Sequence, residues 1–135
     1  MTNDTQTADV RATIDALINA GTTSDLSALD QIYHDSMKIH MIDTDNNLMQ
    51  HDKSSFIAML KGMVAGNNGQ SNTWSEYHSV EAKGDHGHVL ITRKVDLGGA
   101  DRILVLSIDL LFDDDRWQVT REVIFSRPNV DVTTS

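Results

Sequence analysis

Two spacings of apolar residues divide the chain into a helical first half and a stranded second half. Val10, Ile14, Leu17 and Ile18 recur at helical intervals, on a face that Thr7 can cap and Gly21 can close. A second short helix follows the cap "TTSD", with Leu26, Leu29, Ile32 and Tyr33 on one side. "MKIHMI" (37–42) reads as a strand, "DTDNN" as a turn of residues that bond their own backbone, and "LMQH" as a short return strand. A third helix begins near Asp52, carries Phe56, Met59, Leu60, Met63 and Val64 inward, and breaks at "GNNG".

Beyond this break the period becomes two. Strands are predicted over about 73–83, 86–96, 101–112 and 116–126, joined by Gly84-Asp85, "LGGA" and "DDD", a meander of hairpins. Unbroken ladders from these turns pair Val80 with Val89, Glu76 with Arg93, Arg93 with Leu104, Ile108 with Arg121, and Leu104 with Phe125. That register gathers Val80, Val89, Ile91, Val95, Leu104, Leu106, Ile108, Leu110, Phe112, Trp117, Val119, Val123 and Phe125 on one face. The opposite face aligns Tyr77, Thr92, Val105 and Ile124 beside Leu90, Ile103 and Leu111, an apolar cluster that a second copy of the chain could cover.

The same register puts charge where an aliphatic is expected. Arg121 falls in the apolar set of the last strand, Arg93 in that of the second, and Glu76 and His78 in that of the first. An unpaired guanidinium in an apolar interior costs several kcal/mol. Arg93 has Glu76 as a mate, so a structural pair and a polar pocket floor both stay open for it. Arg121 has no mate in its row, which favours a cavity holding an anionic or carbonyl-bearing ligand. His78 beside Glu76 is a candidate general base, and Glu76 would raise its pKa. Trp74 continues this face and Trp117 belongs to it, both candidate walls of a ligand pocket.

Charge and composition narrow the partners. The net charge is −9 and 17 of the 20 acids are aspartate, which opposes a phosphate backbone and an anionic membrane surface alike. No stretch approaches the roughly 20 apolar residues of a membrane span, and the N-terminus has neither the basic start nor the apolar core of a secretory signal. A cytoplasmic protein is expected, and the absence of cysteine suits that compartment. His86, His88 and Asp85 imitate a metal cluster but fall at a hairpin turn, too few for a dedicated site. No nucleophile elbow, phosphate loop or dinucleotide fingerprint occurs, so no metal or other cofactor is expected.

The order helix, helix, strand pair, helix, four-stranded meander resembles the NTF2-like (cystatin-like) α+β superfamily over about residues 8–127. It is most similar to the SnoaL-like and lumazine-binding branch. The carrying stretches are "IDALINAGTTSDLSALDQIYHDSMKI", "HDKSSFIAML" and "SIDLLFDDDRWQV". The resemblance implies a cone: three helices packed on a curved, mixed six-stranded sheet, with a pocket between them and an outer sheet face that forms a homodimer. Residues 1–7 and 128–135 are expected as flexible ends of one domain. It also places Tyr33 and His40 at the pocket edge, with His40 turned outward if Ile39 and Met41 face the core. Members with this fold include cofactor-free isomerases, dehydratases, cyclases and hydrolases, non-catalytic binding proteins and accessory subunits. The fold alone does not choose among them.

Overall fold

The computed structural model describes residues 2–23, 25–66, 75–97 and 100–128. Helix α1 (Thr2–Thr23) begins one turn and more before Thr7, so Thr7 lies inside the helix and is not its first residue. Its Val10, Ile14, Leu17 and Ile18 are all buried, as their spacing requires. Asp25 caps α2 (Leu26–Ile32) by accepting from the backbone N–H of Ala28 at 3.1 Å. Tyr33 is extended and opens β1 (Tyr33–Ile42), so the strand starts four residues before the predicted one. The turn after it is built as its sequence suggests: Asp43 Oδ1 accepts from the N–H groups of Asp45 and Asn47, each at 2.9 Å. β2 (Leu48–Asp52) then leads into α3 (Lys53–Gly66), capped by Asp52, which accepts from Ser55 N–H at 2.8 Å.

The meander consists of β3 (Ser75–Lys83), β4 (His86–Leu97), β5 (Ala100–Asp113) and β6 (Arg116–Pro128). The six strands lie in the order β2-β1-β6-β5-β4-β3, with β1 and β6 parallel and the other pairs antiparallel. The helices cover one face, and the core between includes Val10, Ile14, Met37, Ile39, Ile91 and Ile108, none more than 1% exposed. Gly87 lets α1 approach the sheet: a Cβ there would meet Val10 Cγ2 at 2.9 Å. Gly84 turns β3 into β4 with a φ of +63°, and Asp114 and Asp115 turn β5 into β6 with φ of +55° and +61°.

The ladders confirm half of the predicted register and correct the other half. β4 and β5 pair without interruption, with Val89 opposite Ile108 and Arg93 opposite Leu104, as expected. The outer two strands each slip by one residue part-way along. Val80 faces Val89 as predicted, but the ladder shifts between Tyr77 and Ser79, so Glu76 faces Thr92 and not Arg93. Phe112 faces Trp117 as predicted, but the ladder shifts between Asp109 and Leu110, so Arg121 faces Asp109 and Ile108 faces Glu122. His78 and Thr120 are the extra residues of two β-bulges.

Beyond each bulge every side chain exchanges faces. Tyr77, Glu122, Ile124 and Ser126 turn toward the helices. Glu76, His78, Arg121, Val123 and Phe125 turn away, Phe125 being 43% exposed while Ile124 is 4% exposed. The energetic reason lies in the charges. A guanidinium cannot discard its proton when buried, whereas a carboxyl can take one up, so burying Glu122 costs less than burying Arg121. Leu60, Met63, Val64 and Val95, expected in the interior, lie outside the residues whose side chains are described.

Candidate functional site

The inner face of β6 presents one acid to the core. Glu122 is 3% exposed and lies between Ile108 of β5 and Ile39 of β1. The phenol of Tyr33, itself 4% exposed at the start of β1, lies close enough for its hydroxyl to oppose the rise of that carboxyl's pKa. Arg93 reaches in from β4 and places its positive charge in the field of both. Glu122 Oε2 is buried and accepts no hydrogen bond among the described residues. A buried carboxylate oxygen without a donor is uncommon enough to need a reason.

Burial dominates the electrostatics of this trio. Burial pushes the Glu122 carboxyl up to about 7, against the opposing pull of the Tyr33 hydroxyl and the Arg93 charge. Burial, and then the Glu122 charge, hold the Tyr33 phenol well above its usual value, so it stays a donor. Burial also lowers the Arg93 guanidinium from its ordinary value, with Glu122 and then Tyr33 opposing the shift. Packing fixes the arrangement: Phe56 of α3 meets the Tyr33 ring edge-on at 5.6 Å, and His51 of β2 lies 6.1 Å from Phe56. A carboxyl with its pKa raised toward neutrality is therefore held in the field of a cation and near a neutral phenol.

The residues predicted from sequence are not brought together. Arg121 is exposed on the outer face, opposite Asp109, and the core-facing position expected for it belongs to its neighbour Glu122. His78 and Glu76 are exposed on the same outer face, where His78 Nε2 lies 2.7 Å from Thr92 Oγ1, and neither reaches Arg93. His40 is turned outward beside Val123, while Ile39 is fully buried. Trp117 is core: it is 7% exposed and packs on Phe112 with ring centroids 5.5 Å apart. Trp74 lies outside the described residues. Among the described residues of the predicted set, Tyr33 and Arg93 stand at the buried polar cluster.

Glu122 was missed because an unbroken ladder assigns it to solvent. The sequence carries one usable signal, the adjacent pair Arg121-Glu122. Only one of two neighbouring strand residues can face the core, and the acid is the one that can be neutralised there.

A second polar cluster lies further along the same inner face. The Tyr77 hydroxyl donates to Asp15 Oδ1 of α1 at 2.6 Å, and the Arg11 guanidinium stands 4.3 Å over the Tyr77 ring. Near the β3–β4 turn an open cleft of about 820 Å3 is lined by residues including Lys83, His86, His88 and Asp109. Its His88 Nε2 lies 2.8 Å from Ser107 Oγ. Among the described residues no three His, Cys, Asp or Glu side chains are grouped to hold a metal ion. Among them, too, no helix is long and apolar enough to cross a membrane.

The comparisons with known proteins agree with this architecture. An NTF2-like protein of unknown function from Silicibacter pomeroyi superposes with a TM-score of 0.77 at 20% identity, over 94% of this chain and 100% of its own. Another from Shewanella baltica superposes with a TM-score of 0.74 at 14% identity, over 96% and 99% of the two chains. A third from Pseudomonas putida gives 0.71 at 15% identity, over 96% and 92%. No curated protein matches the sequence. The SnoaL-like domain matches residues 10–124, from within α1 to within β6, and the chain belongs to that family within the NTF2-like fold.

Proposed function

We propose that this protein binds a small organic molecule between its sheet and helices and performs cofactor-independent acid–base chemistry on it through Glu122. The observation that carries this reading is the Glu122 carboxyl: buried, raised to about 7, with one oxygen taking no hydrogen bond. General acid–base catalysis works best with a group whose pKa lies near the working pH. Arg93 supplies a cation suited to a carbonyl oxygen that gains negative charge, and the Tyr33 hydroxyl favours the ionised form of Glu122. In such a step the ionised Glu122 takes a proton from the carbon next to a carbonyl. The electron pair moves onto the carbonyl oxygen, and returning the proton to another carbon completes an isomerisation. Dehydration or hydrolysis of a related ligand uses the same groups.

The test is proton exchange. A panel of carbonyl compounds with acidic α-hydrogens is incubated in D2O with the wild type and with Glu122→Gln, and exchange is followed by proton NMR. Glu122-dependent exchange is expected for at least one compound. If the whole panel is inert and the Glu122 carboxyl titrates near 4.5, the catalytic reading is wrong. A ligand that co-purifies equally with both proteins would favour a non-catalytic binding protein. An interior with no room for any ligand would favour an accessory subunit.

A homodimer through the outer face is a second proposal, favoured by one row of side chains. Leu48, Ile42, Phe125 and Val105 lie side by side across four strands of that face. Leu48, Phe125 and the nearby Leu90 are 55%, 43% and 37% exposed, an apolar stripe that suits a second copy of the chain. The bulges change its make-up: Ile124 and Tyr77, expected in it, face the core, and Phe125 and Glu76 take their rows.

A further inference from the structure

The outer face of the sheet changes character along its strands. At one end the row across β3, β4, β5, β6, β1 and β2 reads Glu81, His88, Asp109, Arg121, Lys38 and Asp52, a charged or titratable side chain on every strand. Four residues along, about 13 Å away, the row through Thr92, Val105, Phe125, Ile42 and Leu48 is mostly apolar. The charged row also changes sign across the strands. Its acids Glu81 and Asp109 lie toward β3 and its bases Arg121 and Lys38 toward β1, with Asp52 beyond them on the edge. The change from acid to base falls between β5 and β6, the midline of the six-stranded sheet. Arg121 is exposed there and the Asp109 side chain is half exposed.

We infer that two copies pack outer face to outer face about a two-fold axis running along the groove between β5 and β6, with Asp109 of each copy against Arg121 of the other. This inference rests on the homodimer proposed above and fixes its geometry. A two-fold axis between facing, aligned sheets runs either across the strands or along them. An axis across the strands lays the charged row of one copy on the apolar row of the other, so that Asp109 and Arg121 are buried without partners against Val105 and Phe125. An axis along the strands lays apolar row on apolar row and charged row on charged row. The signs then choose the groove. Between β6 and β1 the axis would set Arg121 against Lys38, base on base. Between β4 and β5 it would set Arg121 against Glu81 and leave Ile42 and the 55% exposed Leu48 outside the contact. Between β5 and β6 it joins Asp109 to Arg121 and Val105 to Phe125, each twice. Complementary charge sets the register of an interface more than its strength, so a neutral residue at 121 changes association little and a reversed charge opposes it.

The test is a pairing of charge-reversed chains, read by sedimentation velocity and native mass spectrometry, with circular dichroism to show that each variant is folded. Arg121→Asp alone sets acid against acid at both contacts and is expected to weaken self-association about a hundredfold, as is Asp109→Arg by setting base against base. Mixed in equal amounts, these two variants are expected to form a heterodimer with an affinity within about tenfold of the wild-type homodimer, because each contact again joins an acid to a base. Glu81→Arg changes the net charge by the same amount as Asp109→Arg and should not rescue Arg121→Asp. Arg121→Glu replaces Arg121→Asp if that variant does not fold. Rescue by Glu81→Arg as good as that by Asp109→Arg, or wild-type dimerisation of each reversed variant alone, overturns this inference and leaves the homodimer standing. A wild type that stays monomeric removes the homodimer and this inference with it.

Discussion

The β4–β5 pair and the strands on either side of it are built from similar sequence and behave differently. β4 and β5 alternate inward and outward residues through their whole shared ladder, and every pair follows from the turn between them. β3 and β6 keep step only near their own turns, then slip by one at His78 and at Thr120. The inner faces of β4 and β5 are apolar wherever described, apart from Arg93. The inner faces of β3 and β6 acquire Tyr77, Glu122 and Ser126 beyond the bulges. The uninterrupted hairpin supplies the packed floor of the cone, and the interrupted strands place polar side chains over it. Bulges concentrate near sites because they re-aim a side chain without breaking the sheet.

Single-residue deletions test this contrast most severely. Removing Ser107 from the unbroken β5 turns part of its apolar face outward on one side of the deletion. Exposing two of Leu104, Leu106, Ile108 and Leu110 costs about 3–6 kcal/mol in lost burial, before any charge is forced inward. Such a protein should not fold. Removing Thr120 deletes only the extra residue of the bulge, and Val119 and Glu122 keep their inward direction while Arg121 keeps its outward one. That variant should fold with a loss of about 1–2 kcal/mol, partly from the Thr120 hydroxyl bond to the Asp109 carbonyl at 3.3 Å. Circular dichroism and urea titration of the two proteins decide the matter. Equal damage from both deletions would mean that the bulge is not a one-residue insertion into an otherwise regular ladder.

Glu122→Gln is the next largest effect and depends on pH. The folded-state carboxyl is raised to about 7 from an ordinary 4.5, so its stabilising contribution is fully present below about 4.5 and is lost as pH rises through 7. Wild-type stability should fall across this window by up to about 3 kcal/mol and level off above it. Glutamine removes the titration, so the variant should match the wild type near pH 4.5 and exceed it by a similar amount at pH 8. Asp43 and Asp52, held below their ordinary 3.8 first of all by backbone hydrogen bonds, act in the opposite sense and at lower pH. Urea unfolding at pH 4.5, 6 and 8 is sufficient. A wild type that gains stability from 4.5 to 7 contradicts a buried, neutralisable Glu122.

The sequence made the elements legible because period and turn chemistry are local properties. Val10 to Ile18, Asp43, Gly84 and the aspartate tip at 113–115 each announce a local geometry. Strand pairing near each turn was equally legible, since a two-residue turn leaves one register available. The site was not, because a bulge adds one residue with no composition of its own: neither His78 nor Thr120 is a glycine or a proline. One unmarked insertion in β6 was enough to exchange Arg121 for Glu122. Arg93 keeps its predicted inward direction because it lies on the unbroken hairpin, and Tyr33 faces the core although it opens β1 and does not belong to α2.

The outer face gives a test of intermediate size. If the stripe through Val105 and Phe125 joins two copies, Phe125→Lys or Val105→Arg should weaken association by about 2 kcal/mol or more. Ile124→Lys should instead unfold the protein, because Ile124 is core. Sedimentation velocity separates these outcomes: folded monomer for the first two, aggregate or no soluble protein for the third. A wild type that remains monomeric at high concentration removes the homodimer. The comparison of neighbours at 124 and 125 survives either way.

The smallest effect concerns the residue most exposed to misreading. Arg121→Leu would abolish ligand binding and could raise stability if the guanidinium faced the interior. It lies on the outer face, exposed, with its backbone paired between Lys38 and Asp109. A positive side chain beside Asp109 in water gains little, since exposed charge pairs contribute between zero and about 1 kcal/mol. Arg121→Leu should therefore change unfolding free energy by no more than about 0.5 kcal/mol and leave any Glu122-dependent proton exchange intact. The neighbouring substitution, Glu122→Gln, should remove that exchange and alter the pH dependence of stability. Two residues joined by one peptide bond then differ in every measured property, as an alternating strand with its register set by the bulge requires. Loss of exchange in Arg121→Leu would return the guanidinium to the site and place the bulge elsewhere.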